Sequence, residues 1–163
     1  MQQTLTLEKV DYTNETHLNH LFSLLQMYAI DPMGGGEAID EKVLKDLPKA
    51  LASRNYMHSF LVYQNDKPIA FANCIESFST FSGKGVMNIH DFAVDPKSRG
   101  QDVSQFLLMG IQDFAKSIAC TKVTLEVLQG NESAKRAYEK AGFAAYQLNP
   151  ELGDAMFWQK YIV

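Results

Sequence analysis

Asp95-Pro96-Lys97-Ser98-Arg99-Gly100-Gln101-Asp102-Val103-Ser104 links two stretches of different period. Before it, residues 86–94 read as a strand. After it, residues 103–119 set Phe106, Leu107, Gly110, Ile111, Phe114 and Ile118 on one face, the pattern of an amphipathic helix. Residues 121–128 return to strand with β-branched positions, so residues 86–128 form a β-α-β crossover whose two strands are expected to be parallel neighbours. A strand passing through a short polar turn into a helix aims unpaired N–H groups and the positive end of the helix dipole at one point. Arg99 adds a positive charge there, which makes an anion site. The bland alternative is an ordinary connection in which Asp102 caps the helix and Gln105 completes a capping box.

Outward from the junction, residues 4–12 alternate as an opening strand. Leu18, Leu21, Phe22, Leu25 and Tyr28 follow at helical spacing, ending near Asp31-Pro32. Met33-Gly34-Gly35-Gly36-Glu37 is a loop, and residues 40–53 are helical with Asp40 as cap and Pro48 as a kink or break. Residues 57–63 and 69–76 form a hairpin around Asn65-Asp66-Lys67-Pro68, followed by a loop over 77–85. Residues 131–141 are helical with Gly142 beyond the end, and 143–148 and 155–162 supply final strands. The class is α+β (mixed α/β): a central mixed sheet of six to seven strands flanked by about four helices.

The 163 residues suit one domain, 1–163, and 46% hydrophobic content is enough for a core without disulfides. Fifteen basic against nineteen acidic residues leave a net charge of −4, which argues against nucleic acid and against a basic membrane anchor. No apolar run approaches the ~20 residues of a membrane span, and no secretory leader is visible, so a cytoplasmic location is expected. Cys74 and Cys120 stand in apolar company with no metal-ligand spacing, as core residues of a reducing compartment. No metal is implied.

A second informative stretch is Met87-Asn88-Ile89-His90-Asp91-Phe92-Ala93-Val94. A central parallel strand normally reads as a continuous apolar run, so three polar residues here are costly unless partnered. Either they belong to a site, or His90 and Asp91 are satisfied inside the core.

Arg99 and Gly100, with Gln101 and Val103 behind them, resemble the phosphate loop of the GCN5-related N-acetyltransferases (GNAT). The resemblance continues in Asn131-Glu132-Ser133-Ala134, Tyr138 and Ala141-Gly142-Phe143, at the spacing of that family's downstream signature. Within the family the chain looks most similar to the spermidine/spermine branch, through Phe78-Ser79-Thr80-Phe81, Asp91-Phe92-x-Val94 and Phe157-Trp158. The resemblance implies the GNAT fold and transfer of acetyl from acetyl-CoA to an amine of a small molecule, by direct attack in a ternary complex. It also implies that Phe92, Ala93 and Val94, the loop Arg99, Gly100, Gln101, Asp102, Val103 and Ser104, and Asn131 and Tyr138 hold the cofactor. Relatives are often dimers, so a homodimer is among the expectations.

Two loop positions depart from the family's pattern: Asp102 stands for a glycine and Ser104 for Gly or Ala. A carboxylate ~6 Å from a pyrophosphate costs ~2–3 kcal/mol at an effective dielectric of ~20, and almost nothing if it faces solvent. The alternative function is therefore a weakened or degenerate acyl-CoA-binding regulatory module. For catalysis, an amine of pKa near ~10.4 must lose a proton before attack. His90 has the suitable ordinary pKa, and Glu126 on the neighbouring strand orients it or replaces it. By resemblance Tyr138 is the general acid, and a backbone N–H within 92–94 meets the oxyanion. Glu37, Phe78, Phe81, Asp91 and Trp158 are the candidate acceptor-binding residues.

Overall fold

The computed structural model describes residues 4–162. The chain runs β1 (Leu5–Lys9), α1 (Glu15–Ala29), α2 (Glu41–Ala52), β2 (Met57–Gln64), β3 (Lys67–Ser79), β4 (Lys84–Val94), α3 (Val103–Ser117), β5 (Lys122–Leu125) and α4 (Glu132–Lys140). The strands form one sheet in the order β1-β2-β3-β4-β5. Its first three pairings are antiparallel, while β4 and β5 run parallel, as the crossover between them predicts.

Local chemistry explains the elements. Asn14 Oδ1 accepts from Thr16 N and His17 N at the start of α1, and Asp40 Oδ1 accepts from Lys42 N at the start of α2. Pro48 does not end α2; the helix continues through it to Ala52. Asn65 and Asp66 take φ of 50° and 62° between the paired Gln64 and Lys67, a two-residue turn whose twist suits a hairpin. The hairpin strands are longer than their sequence suggests: β3 reaches Ser79 and β4 starts at Lys84.

Two apolar layers sandwich the sheet. Phe60, Val62, Ala72, Met87 and Ile89 pack with Leu107, Leu108 and Ile111 of α3. Leu61, Phe71 and Ala93 face the other way, against Leu21 and Leu24 of α1 and Leu51 of α2. Neighbours in one strand thus serve opposite layers, the period of two expected of a sheet covered on both faces. Each fully buried Leu, Ile or Phe contributes about 1.5–3 kcal/mol, so these layers fix where the sheet ends lie.

Two departures from regularity shape the sheet. The β3–β4 register shifts between Asn73 and Cys74, because Asn73 faces Asp91 while Cys74 faces Ile89. His90 is the extra residue of a β-bulge. On its other side β4 pairs with β5 only from Val86↔Lys122 to Ile89↔Leu125. Beyond Ile89 the β5-facing edge of β4 carries no strand, while its β3 edge stays paired to Val94.

Five strands are present among the described residues, rather than six or seven. Residues 143–148 and 155–162 run without strand pairing. Their alternation suits a strand, but a ladder needs an adjacent edge of matching length, and β5 offers four residues.

A Cβ at Gly110 would sit 2.2 Å from Leu7 Cδ2, where α3 crosses β1. Gly110→Val should therefore lower stability by about 1–3 kcal/mol, despite better helix propensity, and urea unfolding checks this.

Candidate active site

The gap between β4 and β5 opens into a cleft of about 300 Å³. Phe92, Ala93 and Val94 form its floor, and Glu126, Val127 and Leu128, following β5, form one wall. Tyr28, Asp31 and Met33 close it from the end of α1, and Asn131, Ala134 and Tyr138 of the α4 region close the opposite side. Because β4 is unpaired along Phe92–Val94 on this side, its peptide groups are available to hydrogen-bond an extended ligand.

The far end of the cleft is the junction Ser98, Arg99, Gly100, Val103 and Ser104. Gly100 takes φ of 76°, a left-handed conformation that favours glycine and turns the chain into α3. Asp102, the residue before α3, is also left-handed at φ 57°, and its side chain makes no capping bond to the helix. Lys140 Nζ instead donates to Asp102 Oδ1 at 2.7 Å, holding the carboxylate at the exposed outer surface. Gln105 completes no capping box; its Nε2 donates to Ala137 O at 2.8 Å, tying α3 to α4. The first-turn amides of this 15-residue helix are left without a side-chain acceptor, at the positive end of the dipole. Arg99 stands beside them, its Nη2 3.6 Å from Asp31 Oδ2.

Tyr138 anchors the middle of the cleft, in edge contact with Phe92 and Phe143 at ring-centre distances of 5.9 and 6.0 Å. Burial, with a smaller contribution from Tyr28, pushes its phenol up to about 12. The hydroxyl therefore stays protonated across the whole ordinary pH range. Asn131 Oδ1 accepts from Ala134 N at 3.2 Å, so it caps α4 and lines the cleft at once.

The family model described as acetyltransferase (GNAT) family matches residues 21–143, a span that holds the cleft floor, the capless helix start and Tyr138. The chain belongs to the GNAT acetyltransferases. It is 35% identical over 68 residues to a glucosamine 6-phosphate N-acetyltransferase of Trypanosoma brucei brucei; the matched stretch is 42% of this chain and 44% of that protein's length. The fold matches a probable acetyltransferase (TM-score 0.79, 23% identity, 96% of this chain and 99% of that one). It also matches the aminoglycoside N-acetyltransferase AAC(6')-Iy in complex with CoA (TM-score 0.75, 16% identity, 99% and 98% covered).

In this GNAT chain the cleft gathers Phe92, Ala93, Val94, Arg99, Gly100, Val103, Ser104, Asn131, Tyr138 and Glu126. Gln101 and Asp102 face outward, and His90 is exposed on its bulge and is not part of the lining. Asp91, half-buried, stands just before the floor residues. Glu37 is exposed beyond the glycine loop, bound there through its backbone N–H to Ala29 O. Phe78 and Phe81 are exposed near the tip of the β3–β4 hairpin. Lys84 to Phe92 is eight steps of β4, so that tip lies roughly 26 Å from the floor. Trp158 is exposed in the irregular C-terminal stretch. Phe78, Phe81, Trp158 and Glu37 are thus not brought together with the cleft.

Sequence reasoning missed Tyr28 and Asp31. Tyr28 reads as one more apolar position of α1, and Asp31 as a helix terminator. The turn that follows packs back onto α1 at Gly34, where a Cβ would lie 2.0 Å from Tyr28 O. Among the described residues no three His, Cys, Asp or Glu side chains gather as metal ligands, and no helix is long and apolar enough to cross a membrane. Cys74 is buried, and burial, then Asp91, pushes its thiol up to about 12; Cys120 is raised as well, chiefly by burial. Neither thiol is an activated nucleophile.

With the Asp102 carboxylate engaged by Lys140, Asp102→Gly should leave CoA affinity within about twofold of wild type. Asp31→Asn releases Arg99 and should tighten CoA about two- to fivefold. Calorimetric titration of both variants with CoA checks the two outcomes.

Proposed function

We propose that this chain is a single N-acetyltransferase domain over residues 1–163, which moves acetyl from acetyl-CoA to an amine of a small cationic acceptor in a ternary complex. One observation carries the reading: the free edge of β4, the uncapped start of α3 and Tyr138 share one cleft. The amides of residues 99–104 and Arg99 suit the diphosphate, and the edge at Phe92–Val94 suits the pantetheine amides. The same edge offers an N–H to the tetrahedral oxyanion. The non-catalytic alternative was motivated by Asp102, and that motive weakens with the carboxylate bound to Lys140.

In the mechanism we favour, Glu126 receives the proton of the acceptor's ammonium, directly or through water, since it is the carboxylate on the cleft wall beside the floor. His90, exposed outside the lining, is the weaker candidate for the base. A thiol of cysteine type has a pKa of ~8.5. A phenol at about 12 does not surrender its proton fully to such a thiolate, so Tyr138 acts as a hydrogen-bond donor to the departing sulfur. The resemblance favours a polyamine acceptor and the matched relative a phosphorylated amino sugar; both carry an ammonium group. We place the enzyme in the cytoplasm, acting on neither nucleic acid nor membrane. Leu148, Leu152, Met156, Phe157, Trp158 and Tyr161, all exposed, support a homodimer that covers them.

An acceptor screen following CoA release over polyamines, amino sugars, aminoglycosides and amino acids should find turnover, and silence across the panel rejects the reading. Tyr138→Phe should lower kcat about 10- to 100-fold with CoA affinity retained. Because burial pushes its phenol up to about 12, the rate should show no Tyr138-linked decline until the pH approaches that value. Glu126→Gln should cut kcat at least about tenfold while His90→Ala changes it less than about twofold; the reverse pattern reassigns the base. Light scattering on the purified protein should give twice the monomer mass.

A further inference from the structure

A buried polar row crosses three strands behind the cleft. Tyr12 OH and Ser59 Oγ are 2.8 Å apart, Ser59 Oγ donates to Asn73 Oδ1 at 2.6 Å, and Asn73 Nδ2 donates to Asp91 Oδ2 at 3.0 Å. Ser59 and Asn73 are register partners on β2 and β3, and Asn73 and Asp91 are partners on β3 and β4. Ser59 is fully buried and Asn73 is 6% exposed. Such a row is costly for a core: apolar residues at these positions would be neutral or stabilising for the fold alone.

The row has a direction. An ionised Asp91 accepts only, so Asn73 must present its amide nitrogen to it and its carbonyl oxygen to Ser59. The single hydroxyl proton of Ser59 is then committed to Asn73, and Tyr12 must donate to Ser59. Every hydrogen points toward Asp91, which ends the row. Among the described residues, no lysine, arginine or histidine forms an ion pair with Asp91, and its Oδ1 accepts no hydrogen bond. The extra residue of the bulge, His90, directly precedes Asp91, and Phe92 and Ala93 of the cleft floor follow it. The charge is felt in the cleft: Asp91 is one of the groups that raise the phenol of Tyr28, after burial itself.

We propose that Asn73, backed by Ser59 and Tyr12, is a positioning residue that fixes the Asp91 carboxylate beside the cleft floor with Oδ1 turned to the cationic acceptor. The proposal rests on the acetyl-transfer reading above. Its three residues touch neither cofactor nor acceptor. They act through Asp91, by removing its freedom to rotate away from the incoming ammonium.

The test is kinetic and calorimetric, on the best acceptor found for the wild-type enzyme. Asn73→Leu should raise KM for that acceptor by about tenfold, the loss of one hydrogen bond to a charged group, with kcat within about threefold and acetyl-CoA affinity unchanged. Acceptor binding to the CoA complex should weaken by the same factor. Tyr12→Phe, which alters only the remote end and is expected to fold, should raise KM about two- to threefold. Asp91→Asn should match or exceed Asn73→Leu, and the double variant should be no worse than Asp91→Asn alone, because the two act as one unit. An active wild type whose Tyr12→Phe and folded Asn73→Leu variants keep the wild-type KM overturns the row alone, as do penalties that add in the double variant. Should Asn73→Leu not fold, Tyr12→Phe decides by itself. A wild type that acetylates no amine overturns the underlying reading, and the row with it.

Discussion

The parting of β4 from β5 after Ile89 and Leu125 is the constraint on which the site depends. A sheet covered on both faces has little reason to leave a central strand edge bare, since each unpaired peptide group away from water costs free energy. Here the bulge at His90 increases the local twist of β4, and β5 stops after four residues. The resulting wedge is lined with main-chain donors and acceptors at fixed spacing. Residues of α1, α3 and α4 border it. Main-chain groups already aimed at a site need little reorganisation when charge develops on a bound carbonyl.

Electrostatics at the two ends of this wedge are of opposite sign. The start of α3 and Arg99 bring positive charge to the outer end, whereas Glu126 brings a carboxylate to the wall and Asp91 stands just before the floor. In the proposed reading, a donor that carries phosphates and an acceptor that carries ammonium groups are thereby kept from competing for the same place. Asp102 would blur the division if it faced inward. Its left-handed backbone and the ion pair to Lys140 carry the charge outward.

Much of this was legible in the chain itself. The strand-turn-helix junction at Asp95 to Ser104, the β-α-β crossover, the cap Asp40, and the polar strand around His90 all follow from local pattern, and local pattern is preserved on folding. What escaped was set by partners distant in sequence. Nothing at Asp102 announces Lys140, 38 positions away, so capping, an inward carboxylate and a solvent-facing one all stayed open in the sequence. Residues 143–148 and 155–162 suit strands by their pattern, yet such a pattern records a face and not a neighbour. Phe78, Phe81 and Trp158 were grouped by aromatic type, and the length of the β3–β4 hairpin separates the first two from the cleft. His90 was read as the base and Asp91 as an acceptor contact; the bulge sets His90 outside the lining and gives Asp91 the hydrogen-bonded row.

The Asp31–Arg99 contact gives the coenzyme end of the wedge an unusual response to electrolyte. Added salt screens the attraction between a phosphate and the arginine, which weakens association. It also loosens the carboxylate that the phosphate must displace, so part of the competing cost vanishes with it. The two influences oppose each other, and affinity becomes flatter against ionic strength than it would be for a solitary guanidinium. A protein built this way keeps its donor site loaded to a similar degree while the small-ion content of its surroundings drifts.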